Sequence, residues 1–397
     1  MIEDEASLSD DIVPDIPKHA SFEREFAPWH KVRKEFVRRE QWNRLIIQYA
    51  ERYLRKEINQ RPLACLVIPG DDLLDIRSLL RDTEALGFRV RYLGFNSRHG
   101  SGDVGTPLHV AHNDVTTAYE RVDSSSLVIR DPFQRVGSVN SRAFLSVKEI
   151  GPFHIINLDL CDSLFPTASG DLPSYFRALH GIAAYQMREM TKPWLLFITT
   201  EVSPKEVDVE QFDYLCKPTK QNVQKYEEFD NLFSKVIPSS VLTSGANGKL
   251  DCSQLNPKQL VDLFGVAIGK ALLSFCANGQ GWKVGMRKSH IYTINMEKQV
   301  SMLSLAFEFT PIFTPPEDVT GLSSLKLEKP KPFNELELAT RLLKSVLNIS
   351  NIDDLLKETP LLHDELLNSS ADLLKSAGYD RDKYIQWVQE GEQTKYL

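Results

Sequence analysis

The apolar positions change rhythm along the chain. Trp42, Leu45, Ile46, Tyr49 and Tyr53 recur every three or four residues in "VRREQWNRLIIQYAERYLRKEI", and this spacing predicts an amphipathic helix. The middle then turns to short apolar runs separated by helical ones. "LACLVI" predicts a buried strand and "FRVRYLGF" a second one. Between them, "DDLLDIRSLLRDTEALG" places Leu73, Ile76, Leu79 and Leu80 on one helical face and stops at Gly87. Strand, helix and strand in so short a span make a βαβ unit.

Three more strands are predicted at "SSLVIRD", ending at Asp131, "FHIINLDL", ending at Leu160, and "KPWLLFITTEV", ending at Val202. The segment "YFRALHGIAAYQMREM" between the last two suits a helix packed on a sheet. Strands apolar at both parities need cover on both faces, so residues 58–203 are expected to form a three-layer α/β domain around a mainly parallel sheet. Residues 1–27, acidic and without periodicity, are expected to be a flexible arm, and 28–57 to pack on the core as a basic amphipathic helix. Beyond residue 204 the rhythm is mixed. A strong helix is predicted at "NPKQLVDLFGVAIGKALLSFC", paired strands at "WKVGMRKSHIYTINM" and "VSMLSLAFEF", and short helices from Asn334 on, so 204–397 is expected to be a mixed α+β and helical region.

Composition narrows the picture less than the pattern does. The 397 residues carry a formal charge of −7, which argues against a surface built throughout for nucleic acid but leaves room for a local basic stripe. Five scattered cysteines with no Cys-x-x-Cys pair fit a reducing compartment. The acidic first residues lack the basic start of a signal peptide, and no apolar run reaches the length of a spanning helix. The cytoplasm is the expected location, with no membrane partner.

The stretch Pro69-Gly70-Asp71-Asp72 follows the first strand, Asn96 ends the second, and "NLDLCDS" ends the fourth. In this layout residues 58–203 resemble the Rossmann-like core of class I S-adenosylmethionine-dependent methyltransferases. The resemblance implies a cofactor loop at Gly70, Asp71 and Asp72, a ribose contact at Asn96, and a substrate-side motif at Asn157, Asp159 and Asp162. The motifs are degraded. One glycine stands where the family carries a series, two carboxylates follow it and disfavour a phosphate-bearing cofactor at the helix start, and Asn96 replaces the ribose acid. Structurally, Asp71 or Asp72 would cap the helix near Leu73. The expected cofactor is therefore none, or weakly bound S-adenosylmethionine.

Asn157 and Asp159 share one side of an extended strand, and Asp159 and Asp162 fall at its carboxyl end, where open sheets bind ligands. These are the catalytic candidates, although two acids and an amide are too few for a metal cage, and no metal is expected. His99, His109 and His112 lie in a glycine-bearing stretch beside Asp103 and Asp114, read as a loop over the sheet edge. No nucleophile elbow or phosphate loop is present. The segment 30–56 is rich in cations with aromatic residues between them, so Arg38, Arg39, Arg44 and Arg52, with Lys288, are the candidate surface for a protein partner or a nucleic acid. Interleaved glutamates would instead neutralise these cations along the helix at i,i+4. Together these readings favour a non-catalytic or weakly catalytic methyltransferase-like interaction protein, a subunit or scaffold of a protein or protein–nucleic acid complex. The alternative is an S-adenosylmethionine-dependent methyltransferase acting on nucleic acid or protein.

Overall fold

The computed structural model describes residues 24–57, 61–96, 107–160, 162–166, 172–203, 207–278, 281–295, 300–312 and 333–393. Helix α1 (Val32–Phe36) runs through a π-helical stretch, Val37–Asn43, into α2 (Arg44–Tyr53). The alternating part follows: β1 (Leu63–Val67), α3 (Leu74–Asp82), β2 (Val90–Phe95), α4 (Pro107–Ala118), β3 (Leu127–Ile129), α5 (Arg142–Ile150), β4 (Ile155–Asp159), α6 (Tyr175–Glu189) and β5 (Trp194–Val202). Then come α7 (Val209–Lys225), α8 (Glu227–Phe233), α9 (Pro257–Asn278), β6 (Trp282–Met286), β7 (His290–Asn295) and β8 (Val300–Pro311). The last elements are α10 (Glu335–Leu347), β9 (Ser350–Asn351), α11 (Ile352–Glu358), α12 (Pro360–Ser376) and α13 (Arg381–Gln393).

Among the described residues nine strands form one sheet in the order β3-β2-β1-β4-β5-β8-β7-β9, with β6 also on β8. The pairs among β1 to β5 are all parallel, and β8 is antiparallel to β5, β6 and β7. All five strands predicted between 58 and 203 are therefore present and parallel, in a sheet covered by helices on both faces. The paired strands expected after residue 280 join this same sheet, because β8 pairs with β5 from Trp194↔Phe309 to Val202↔Ser301.

Strand parity sorts the two cores. Ala64, Leu66, Ile156, Leu158, Leu196 and Ile198 face a layer built from α5 to α10. Leu63, Cys65, Val67, Ile155, Leu195 and Phe197 face the other, made of the 32–53 helix, α3, α4 and α11 to α13. Helix starts are fixed by side-chain caps where the sequence provides them: Ser141 accepts from the Phe144 N–H, Ser174 from Arg177 and Asp208 from Gln211. The apolar stretch Pro257–Ala277 meets the length and composition of a spanning helix, yet 83% of its most apolar window is buried within the chain, as a core helix requires. His109, His112 and Asp114 lie on α4, not on a loop, whereas His99 and Asp103 fall outside the described residues. The His112 ring bonds the Tyr92 hydroxyl at 2.8 Å and Asp114 pairs with Arg77, so both serve packing.

Candidate functional site

Chain connections leave β1 toward β2 on one side and β4 toward β5 on the other. The carboxyl ends of β1 and β4 thus form the switch point at which open α/β sheets hold ligands. Three groups of sequence-predicted residues meet there.

The first is the loop after β1. Gly70 accepts from the Leu73 N–H at 3.1 Å, and Leu73 itself takes the left-handed conformation (φ 53°) at the start of α3. Neither Asp71 nor Asp72 caps that helix. Asp72 binds Arg24 at 2.5 Å and the Tyr379 hydroxyl at 2.8 Å, and its carbonyl accepts from Arg77 at 3.1 Å. Gly70 is not in the left-handed region, and a Cβ there would meet nothing within 4 Å. Its hydrogen side chain is thus required by neither turn geometry nor close approach.

The second is Asn96, buried at the end of β2. Its amide donates to the Pro69 carbonyl at 3.0 Å and to Asp71 at 3.2 Å, which ties the second strand's end to the loop.

The third is the end of β4. Asp159 pairs with Lys34, and the Lys34 ammonium lies 4.5 Å from the centre of the Trp42 ring. Arg38 pairs with Asp75 at 2.7 Å beside them. Burial would lower the Lys34 pKa, but the carboxylates of Asp159 and Asp75 outweigh it and hold the ammonium above its usual range. Arg38 is raised in the same way, with Asp75 the largest opposing influence on its burial. Asn157 is 6% exposed, and its Oδ1 has no hydrogen-bond partner among the described residues. Asp162 is exposed and outside this cluster; its carbonyl accepts from the Glu201 N–H at 3.2 Å.

Around this core runs a stitched rim. Glu35, fully buried, accepts from Arg81 at 2.8 Å and from Ser369 at 2.6 Å. Gln41 reaches β8, donating to the Ser304 carbonyl at 3.0 Å and accepting from the Ser304 hydroxyl at 2.6 Å. The 32–43 helix is therefore inserted among α3, α12 and the sheet rather than laid on them. Buried charges in such a position must be paired, which is what the long-range partners provide.

Arg38, expected on a contact surface, is 4% exposed and engaged by Asp75, so it presents nothing to a partner. Arg39 pairs with Glu365 at 2.8 Å, and Arg44 with Glu40 at 3.3 Å. Arg52 lies over the Tyr53 ring at 5.2 Å, and Lys288 is exposed. Lys34, Glu35 and Asp75 were missed in the sequence; the available signal was the density of charge inside an otherwise buried helix start.

S-adenosylmethionine does not fit the residues as they stand. The polar groups that would meet it at Asn96, Asp71 and Asp72 are bonded to one another or to Arg24 and Tyr379. A cationic sulfonium near Asp159 would meet the Lys34 ammonium already in place.

Among solved structures, the plantazolicin methyltransferase BamL, in complex with a triazolic desmethylPZN analog and SAH, is 9% identical, with 70% of this chain and 95% of that one covered and a TM-score of 0.27. The pyocyanin biosynthetic protein PhzM is 13% identical over 68% of this chain and 60% of that one, at a TM-score of 0.24. MNMC2 from Aquifex aeolicus is 13% identical over 75% and 72%, at 0.23. The search of curated proteins returned no match. A family model described as PP_RS20740-like matches residues 23–389, which takes in the inserted helix, every strand described and most of α13, and the chain belongs to that family.

Proposed function

We propose that this chain uses a methyltransferase-like fold without a working cofactor site, as a non-catalytic subunit or scaffold of a protein complex. One observation carries the reading: the Lys34 ammonium is buried against Asp159 at the switch point, where a cofactor-dependent enzyme needs an open, unneutralised edge. The neighbouring pairs Arg38–Asp75 and Asn96–Asp71 reinforce it. The contact surface is the exposed side of α2, with Arg44, Gln48, Glu51 and Arg52, and Arg55 in the turn after it. Its mixed charge suits a protein partner better than a phosphate backbone.

The second reading, an S-adenosylmethionine-dependent methyltransferase, is favoured by the position of Asp159 and by the unpartnered Asn157 Oδ1 beside it. Calorimetric titration of the whole chain with S-adenosylmethionine separates the two. The scaffold reading expects no saturable heat. Saturable binding, together with methyl transfer that disappears in Asp159→Asn, overturns it. For the surface, Arg44→Glu with Arg52→Glu is expected to abolish recovery of a partner that the wild-type chain retains, without changing the melting temperature. A steeply salt-dependent nucleic-acid signal lost in the same variant would replace the protein partner by a nucleic acid.

A further inference from the structure

The opposite helical layer contains a cleft of about 720 Å³ between α6, α7 and α9, remote in sequence from the loop after β1. Its walls carry rings. Phe176 and Phe275 lie 5.7 Å apart between centroids, and His180 meets Phe275 edge-on at 4.6 Å. Tyr214 stands on the α7 wall with 59% of its surface exposed.

The charges at the cleft are unbalanced. Arg177 donates to the Gly137 carbonyl at 3.1 Å, Lys217 lies over the Tyr214 ring at 4.3 Å, and neither has an ion-pair partner among the described residues. The acid on this wall, Glu210, is neutralised by Lys249 at 2.8 Å. An aromatic cage with carboxylates selects organic cations, but this one carries cations that have no ion-pair partner among the described residues, which inverts the preference.

We propose that the cleft binds a small aromatic carboxylate, its ring against Tyr214 and Phe275 and its carboxylate on Arg177 and Lys217. Aromatic walls lined also by a few charged side chains have the make-up of a small-molecule site. The proposal is independent of the scaffold reading, since no residue of the cleft belongs to the switch-point cluster.

The test is a calorimetric titration of the full chain with 2-naphthoate and with its neutral counterpart 2-naphthalenemethanol. 2-Naphthoate is expected to saturate and to bind at least tenfold more tightly than the alcohol. Arg177→Gln with Lys217→Gln is expected to erase that difference, and Tyr214→Ala, at an exposed position that threatens no packing, to weaken binding at least fivefold. Unchanged melting temperatures serve as the folding control. No saturation by about 5 mM, a range that even weak small-ligand affinities reach, overturns the proposal. Equal affinity for the alcohol, or unaltered binding by the double variant, does the same.

Discussion

The ammonium of Lys34 sits over the indole of Trp42, 4.5 Å from the ring centre, while the Asp159 carboxylate neutralises it. Removing one member of such a buried pair strands the other. Lys34→Met is expected to cost about 3–5 kcal/mol, whereas Lys34→Met with Asp159→Leu should cost less than either single change. Denaturant midpoints of the four proteins measure this, and additive losses would show that the pair is not coupled. In Lys34→Ala, methylammonium should raise the melting temperature by filling the vacated place, with no effect on the wild type.

The buried histidines set an acid limit. Burial, aided by the Arg38 charge, holds His30 down to about 3. Burial with Lys192 and Arg91 takes His154 to about 4, and burial with Lys288 takes His290 to about 4. The Nδ1 atoms of His30 and His154 accept backbone N–H bonds from Ala27 and Ala64, so both rings must be neutral in the folded chain. These pKa values are depressed on folding. The stability they contribute is complete above the unfolded value near 6.5 and is lost as pH falls from there toward 4, at about 1.4 kcal/mol per pH unit for each ring. Urea unfolding between pH 7.5 and 4.5 should show this slope, and His154→Gln should reduce it by one proton. An unchanged slope in that variant would contradict the assignment.

Two glycines should respond in opposite ways. Gly70→Ala meets open space and is expected to leave stability within about 0.5 kcal/mol of wild type. Gly151→Ala would bring a Cβ to 2.7 Å from the Val147 carbonyl and 2.9 Å from both Phe153 and the Tyr185 hydroxyl, and should cost about 1–3 kcal/mol. Thermal melts compare them directly; a Gly70→Ala protein that melted as low as Gly151→Ala would contradict the open-space reading of the loop after β1.

The parallel strands were legible because each carries apolar residues at both parities, which no exposed strand would tolerate. The loop at Gly70 was legible in position but not in chemistry. That its acids turn to Arg24 and Tyr379 depends on segments distant in sequence. The basic helix misled for a related reason. Local spacing offers Glu35 and Glu40 as i,i+4 neutralisers, and Arg44–Glu40 does form, yet Glu35 is taken by Arg81 and Arg38 by Asp75. Periodicity reports which face a helix buries, but when a helix is surrounded on every side, partner choice is decided by tertiary approach.

The hydroxyl of Tyr384 donates to the carbonyl of His30 at 2.6 Å, across 354 residues of chain. On a ribosome adding about 5–20 residues per second, the first helix therefore waits roughly 20–70 s for its last partners to be synthesised. Throughout that interval Glu35 has no Ser369 and Asp72 no Tyr379. The alternating strands and helices can gather as they emerge, but the layer over α3 closes only when α12 and α13 have left the exit tunnel. Early release of the nascent chain would leave that layer's apolar face bare, so production of this protein is expected to depend on chaperones that hold nascent chains more than its local helix and strand propensities would suggest.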